Sequence, residues 1–595
     1  NTAIGYESLK TLNAGADAHN TAVGFRSGLL VSTGQSNTLI GALAGDAITT
    51  GSENTAVGYR ALSTEDGNGL NTAIGVDSLM TQNAGANAYN TAVGYHSGKL
   101  VTTGVQNTLI GGLAGDALTD ADNNVAIGKS AMTTNQLGSD SVAVGTFALN
   151  SMNPASAVSM HNVAVGHNTG AAVTTGTLNT LIGSLAGDAL NTANSNVAIG
   201  YSALSTDTKG DNSVAIGENA LLTQNFTSST DSYNVAVGSN AGRAVTTGQS
   251  NTLIGGLAGD AITTGGSNTF VGYNSGHVES TGANNVIIGQ AGQAQTLTND
   301  TVAVGDGALQ TNTKSAKNTA IGRSALRNLN HTSATDGHNT ALGFNAGLAM
   351  TTGDSNTLIG SLSGDAITTG AKNVALGRAA LGANTAGNKT VAIGMEALAS
   401  QNITSDGDSF NTAVGYQAGT AVTTGVQNVL IGGEAGDALT DADFNVAMGV
   451  SALGSDTLGS RNTAIGHGSL ATHNVSSAAN TYNTAVGFHA GVAVTTGTLN
   501  TLIGGLAGDA LTTGASNVAV GYAALSAEDA HGLNVAIGTN ALGALNAGAN
   551  AFNVAVGHDA GTGVTTGIQN TLIGGLAGDA LLAAADNVAV GFEAL

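Results

Sequence analysis

An all-β parallel β-solenoid, a β-roll of about 34 coils, is the fold this chain predicts, and three observations predict it. A five-residue cassette, N-T-A-I-G at 1–5, N-T-L-I-G at 37–41 and N-V-A-V-G at 587–591, recurs thirty-four times. Its glycines, Gly5, Gly24, Gly41, Gly58 and onward to Gly591, mostly stand 17 residues apart, with some steps of 19 or 21 and one of 16. Glycine is abundant, but there is one proline, Pro154, and no G-X-Y period, which excludes collagen. Self-similarity at this spacing means a stack of small units, none able to bury a core alone.

The repeat runs from 1 to 595, so one continuous solenoid domain is expected rather than several globular ones. Charged residues are only 9% of the chain and 42% are hydrophobic, which is not the composition of a disordered protein. The net charge of −23 is thinly spread and no basic stripe is present, arguing against nucleic acid and anionic membrane surfaces. No apolar run approaches the ~18 residues of a spanning helix, so no membrane insertion by this segment is expected. Cysteine is absent, which rules out disulfides and thiolate metal sites. The chain opens and closes inside cassettes without atypical capping coils, the pattern of a fragment of a longer fibre.

Within one coil, numbered from its Asn, position 2 is Thr or Val, position 3 mostly Ala or Leu, position 4 Ile, Val, Leu or Met, and position 5 Gly. This alternation predicts a short strand ended by the glycine. The Asn, replaced at Ser141, Ser213, Thr301 and Thr390, suits a tight turn and lets stacked amides form a ladder. Position 8 is nearly always Ala or Ser. Beyond it one class of coil has Leu at position 9 (Leu9, Leu62, Leu79), and the other has Gly there with an aliphatic residue at position 12 (Gly28 with Val31, Gly45 with Ile48). A second short strand whose bulky residue alternates in place, so that layers interlock, fits this pattern.

Coils are grouped in super-repeats of four. The first carries S-G-x-x-V-T-T-G (97–104), the second L-A-G-D-A (113–117), the third an A-L or A-M pair such as Ala131 and Met132, and the fourth ends in a longer loop. Residues 268–300 depart from this, with two inserted coils of irregular cassette.

If positions 2 and 4 face inward, position 3 makes an outward apolar row that assigns an oligomer interface to Ala3, Ala22, Leu39, Ala56, Ala73, Leu109, Ala126, Leu181, Ala215 and Leu253. The reverse parity turns the Thr/Val and Ile/Val rows outward. Either way an apolar stripe ~160 Å long, at ~4.8 Å per layer, exceeds what monomers expose. A parallel homotrimer sharing one axis satisfies every layer at once. The cassettes N-S-V-A-I-G (212–217 with its Asn), D-S-V-A-V-G (140–145) and K-T-V-A-I-G (389–394), followed by x-x-A-L or x-x-A-G, resemble the head repeats of trimeric autotransporter adhesins. The forms at 54–62 and 196–204 are similar to repeat regions of bacteriophage tail-fibre and related surface-fibre proteins. The adhesin resemblance implies left-handed parallel β-rolls, three chains around an axis. The chain departs from those heads in its longer coils and its L-A-G-D-A coil.

Three sets of side chains are candidate sites. The L-A-G-D-A carboxylates Asp46, Asp116, Asp188, Asp260, Asp365 (here L-S-G-D-A), Asp437 (in E-A-G-D-A), Asp509 and Asp579 sit in a frame similar to the calcium nonapeptide as at 111–119, but its fourth residue there is Ala and the unit is not tandem. That favours a turn-bonding or interchain carboxylate over calcium. The ring residues ending each long loop, His19, Tyr89, His161, Tyr233, His338, Phe410, Tyr482 and Phe552, either pin the loop, the favoured reading, or stack on sugars of a host surface glycan. The N-x-S/T triplets at Asn225, Asn330, Asn402 and Asn474 are possible glycan acceptors, although Asn13, Asn83 and Asn546 keep the Asn without the acceptor pattern. No catalytic constellation, cofactor motif or phosphate loop is present. The expectation is a non-enzymatic structural shaft, extracellular or on a cell or virion surface, that spaces a host-attachment tip. A lateral glycan-binding adhesin or matrix filament is the alternative, and an ice- or mineral-binding wall a distant third.

Overall fold

The computed structural model describes residues 1–15, 17–296 and 298–595. They form two compact units, Asn1–Asn299 and Asp300–Leu595. Each unit is a parallel β-solenoid, and no α-helix occurs among the described residues. There are 34 three-residue strands, half in each unit, and every one falls on a cassette: Thr2–Ile4, Thr21–Val23, Thr38–Ile40 and so on to Val588–Val590. Cassettes pair in parallel with the next coil and without slippage. Ala22 lies opposite Leu39 and Leu39 opposite Ala56 in the first unit, and Ala303 opposite Ala320 in the second. One coil is therefore one layer. The irregular segment obeys the same register, with Phe270 opposite Leu253 and Ile287.

The parity is the reverse of the one that assigned the interface. Ala22, Leu39, Ala56, Ala73, Leu109, Ala126, Leu181, Ala215 and Leu253 are all fully buried inside the single chain, so they form its core and no oligomer contact. Of the ten only Ala3, in the first coil, is exposed. The reason is volume. In second coils the Leu at position 3 needs the space that glycines at position 9 leave: a Cβ on Gly28 would lie 2.7 Å from Leu39 Cδ1, and one on Gly45 2.8 Å from Leu39 Cδ2. In third and fourth coils the sizes swap, as with Ala56 beside Leu62 and Ala73 beside Leu79, all buried. Large-against-small matching fills a narrow coil at constant volume. The Thr/Val and Ile/Val rows then face outward, with Ile40, Ile74 and Ile110 each between 37% and 39% exposed.

Among the described residues the predicted second strand is absent. Positions 7 and 9 take left-handed φ, as at Arg60 (52°) and Leu62 (54°), which reverses the chain too sharply for extended structure. Turns stack coil on coil instead through backbone bonds such as Gly45 N–H to Ala61 O (2.9 Å) and Leu62 N–H to Ser78 O (3.0 Å). Two-residue strands appear only where a long fourth-coil loop returns beside a third-coil turn, as Val158–Ser159 against Gly138–Ser139.

The asparagine ladder forms as expected. Asn20 Oδ1 accepts the Asn37 N–H (2.9 Å), Asn37 Oδ1 accepts that of Asn54 (3.0 Å), and each Nδ2 donates to the carbonyl closing its own coil, as Asn37 to Gly51 O (2.9 Å). These side chains are fully or almost fully buried, so one amide satisfies two backbone groups that burial would otherwise orphan. The cassette glycine is a different necessity. Gly111 has φ of +134°, and a Cβ there would lie 2.6 Å from Gly128 O in the next layer. Its neighbour Gly112 would place a Cβ in open space.

Candidate functional site

The outward sheet face is a chemically uniform surface that runs through each unit. Positions 2 and 4 carry no charge in any cassette. Beside them, position 6 adds half-exposed rings in many coils, among them Tyr59, Tyr95, Tyr201, Tyr416 and Tyr522. In the first coils Tyr6 and Phe25 stack with centroids 5.6 Å apart. Seventeen layers at ~4.8 Å make this face ~80 Å long in one unit.

The loop rings are not pins. Tyr89, Tyr233, Phe410, Tyr482 and Phe552 are each 50% to 57% exposed, and His19, His161 and His338 are exposed too. The residue before each ring takes the anchoring place instead: Ala18, Ala88, Met160, Ser232, Ser409, Thr481 and Ala551 are fully buried, and Gly337 is buried as well. Left-handed φ at all eight ring positions, from 48° to 53°, turns the ring away from the coil just before the strand begins. Lys389 Nζ lies 5.0 Å from the Phe410 ring centre, and Arg461 sits 5.9 Å from that of Tyr482.

Among the described residues only Asp260 of the eight L-A-G-D-A-type carboxylates meets a basic side chain. None of the eight joins a group of three candidate metal ligands among the described residues. Asp260 meets His277 Nδ1 at 2.5 Å. Asp46, Asp116, Asp188 and Asp509 each bury Oδ1 without a hydrogen-bond partner among the described residues. Burial pushes the carboxyls of Asp46, Asp116, Asp188, Asp365, Asp437 and Asp509 above their ordinary value. A lone half-buried carboxylate with a raised pKa does not supply the six to eight oxygens calcium takes.

The glycosylation candidates share a turn role. Oδ1 of Asn225, Asn330, Asn402 and Asn474 accepts a Thr hydroxyl from the preceding coil, of Thr208, Thr313, Thr385 and Thr457, at 2.7 to 3.1 Å. Asn13, Asn83 and Asn546 donate the same kind of backbone N–H bond to the next coil as Asn225 does. The turn gives the Asn side chain a role at Asn225, Asn330, Asn402 and Asn474.

One feature escaped the sequence reading. Third coils bury an acid or amide at position 12, where first and second coils have Val, Ile, Leu or Met. Glu65, Asn135, Asp207, Asn312, Asn384, Asp456 and Glu528 are all fully buried. Each accepts the N–H three residues on, at 2.8 to 3.2 Å. Its regular recurrence every fourth coil was the available signal. Two of these groups meet a side chain of the following coil, Asp207 with Gln224 Nε2 (2.6 Å) and Asp456 with His473 Nδ1 (2.7 Å). The chain matches no known protein family, and no curated protein is similar to it in sequence.

Proposed function

We propose that this chain is the structural shaft of an extracellular or virion-surface fibre, assembled as a parallel homotrimer and acting as a stiff spacer for attachment. The observation that carries the reading is the uncharged outward face of Thr/Val and Ile/Val rows. An exposed apolar strip ~80 Å long in each unit exceeds ordinary monomer patches. If ~10 Å wide, it offers ~800 Å² in each unit, the size of one side of a standard specific interface. The resemblance to tail-fibre and trimeric-adhesin repeats supports the same assembly by analogy of motif. The reading needs no catalytic group and no cofactor. The assigned interface moves with the corrected parity, from the position-3 row to positions 2 and 4.

Light scattering on the full chain tests this. The mass should be a multiple of the 57.6 kDa protomer, and Ile74→Asp, Ile110→Asp and Ile182→Asp together should reduce it to one protomer with unchanged circular dichroism, because paired faces cannot bury uncompensated charges. A stable single chain before mutation overturns the assembly.

A second reading rests on the exposed loop rings. Tyr89, Tyr233, Phe410, Tyr482 and Phe552 present faces on which sugar rings stack, which supports a lateral adhesin binding surface glycans. Within each unit four layers, ~19 Å, separate successive loop rings when the histidines His19, His161 and His338 are included, so such contacts gain strength through avidity.

A further inference from the structure

Among the seven third-coil turns, the one at Glu528 carries side chains its fold does not require. The turn needs an acceptor at its first residue and a backbone N–H three residues later. Glycine fills that later place at Gly138, Gly210, Gly387 and Gly459. At Glu528 the place is taken by His531, with Asp529 between them. The donor atoms of Glu528, Asp529 and His531 all lie within 4.8 Å of one another, the only such group of three among the described residues.

We propose that Glu528, Asp529 and His531 form a binding site for a divalent transition-metal ion, with zinc the best match. The carboxylate is already held in place. Glu528 is fully buried; its Oε1 accepts the His531 N–H at 3.1 Å and its Oε2 accepts the Ala547 N–H at 3.3 Å. Each oxygen keeps a free lone pair, and backbone donors of this kind orient a metal ligand from behind. His531 Nδ1 is buried, has no hydrogen-bond partner, and lies 3.5 Å from Glu528 Oε1. Two ligands ~2.1 Å from a tetrahedral zinc stand ~3.4 Å apart, so this pair is already at bridging distance. Asp529 is exposed and supplies the third, movable ligand. An imidazole with two carboxylates selects zinc-like ions over calcium or magnesium, which take oxygen ligands alone. Solvent or a neighbouring group completes the shell.

The chain holds its own control. The turn at Glu65–Asn68 has the same frame: Glu65 is fully buried, Asp66 follows it exposed, and Glu65 Oε1 accepts the Asn68 N–H at 3.1 Å. The imidazole is missing, and Glu65 Oε2 has no hydrogen-bond partner among the described residues, whereas Glu528 Oε2 accepts the Ala547 N–H. The test is calorimetric titration of the chelator-stripped, tagless full chain with zinc chloride, alongside His531→Asn and Asn68→His. The wild type should bind one ion per chain more tightly than any other site. His531→Asn should weaken that site at least tenfold, and Asn68→His should add a second. Because His531→Asn copies a turn that folds elsewhere in the same chain, misfolding does not mimic the loss, and the gained site cannot arise from damage. Zinc affinity unchanged by His531→Asn, no saturable site in the wild type, or a stoichiometry unmoved by Asn68→His would each overturn the site and leave a histidine that only hydrogen-bonds its turn.

Discussion

Two adjacent glycines should respond oppositely to the same substitution. In Gly111→Ala the new Cβ meets Gly128 O at 2.6 Å and Gly128 C at 2.7 Å, backbone atoms that no side-chain rotation relieves. Its φ of +134° lies where L-residues rarely sit, a strain of about 1–3 kcal/mol. Relief requires the layers to part, which weakens the bonds from Gly111 N–H to Val93 O (2.8 Å) and Gly128 N–H to Ile110 O (2.7 Å), about 1 kcal/mol each. The local cost is therefore about 3–5 kcal/mol. Gly112→Ala adds a methyl to open space at a residue without positive φ, so it should be neutral or stabilise by up to about 1 kcal/mol through the unfolded chain. Hydrogen exchange read by mass spectrometry is the suitable assay, because a stack opens locally rather than all at once. Amides of Gly111 and Gly128 should exchange a hundredfold or more faster in Gly111→Ala and unchanged in Gly112→Ala. Equal protection in the two variants would refute the claim that the cassette glycine is imposed by the layer above it.

Asn54→Ala removes bonds to Asn37 Oδ1 and Asn68 O and orphans the Asn71 N–H; local stability should fall by about 2–4 kcal/mol, measured by exchange at Asn71. For Asp116, burial raises the folded pKa above the unfolded value near 3.8. Between the two values the native state holds more protons, so this group's contribution falls as pH rises through that window and stays low above it. Asp116→Asn should flatten that slope and raise the melting temperature at pH 7, and a lower melting temperature there would show that the ionised carboxylate stabilises the turn.

The strands, their register and the asparagine ladder were legible because a short period-2 motif repeated in phase has few other ways to bury itself. Which face turns inward was not, because both alternating rows are apolar and the larger residues lie outside. The deciding signal was pairwise: every L-I-G cassette with Leu at position 3, such as Leu39, Leu109 and Leu181, is followed by Gly45, Gly115 or Gly187, whereas Ala56 and Ala73 are followed by Leu62 and Leu79. That exchange of size between positions 3 and 9 marks side chains sharing one small interior. The buried acids were missed for a related reason. Glu65 and Asp456 read as surface charges until the turn they cap, and the depth of position 12, are known. The exposed rings show the converse, since the buried residue before each of them carries the anchoring that a large ring was expected to supply.

The stacking of one coil per layer also sets how the chain yields to tension. Between layers the hydrogen bonds run nearly parallel to the stacking direction, so a pull along it loads one interface at a time rather than shearing many together. A coil that detaches releases 17 residues, up to ~58 Å of extended chain, in place of the ~4.8 Å it occupied in the stack. Extension is then stepwise and roughly twelvefold per coil, and each step leaves the next Asn rung intact to stop the tear. A stack of this design should hold its length up to a threshold force and afterwards lengthen by discrete increments of one coil.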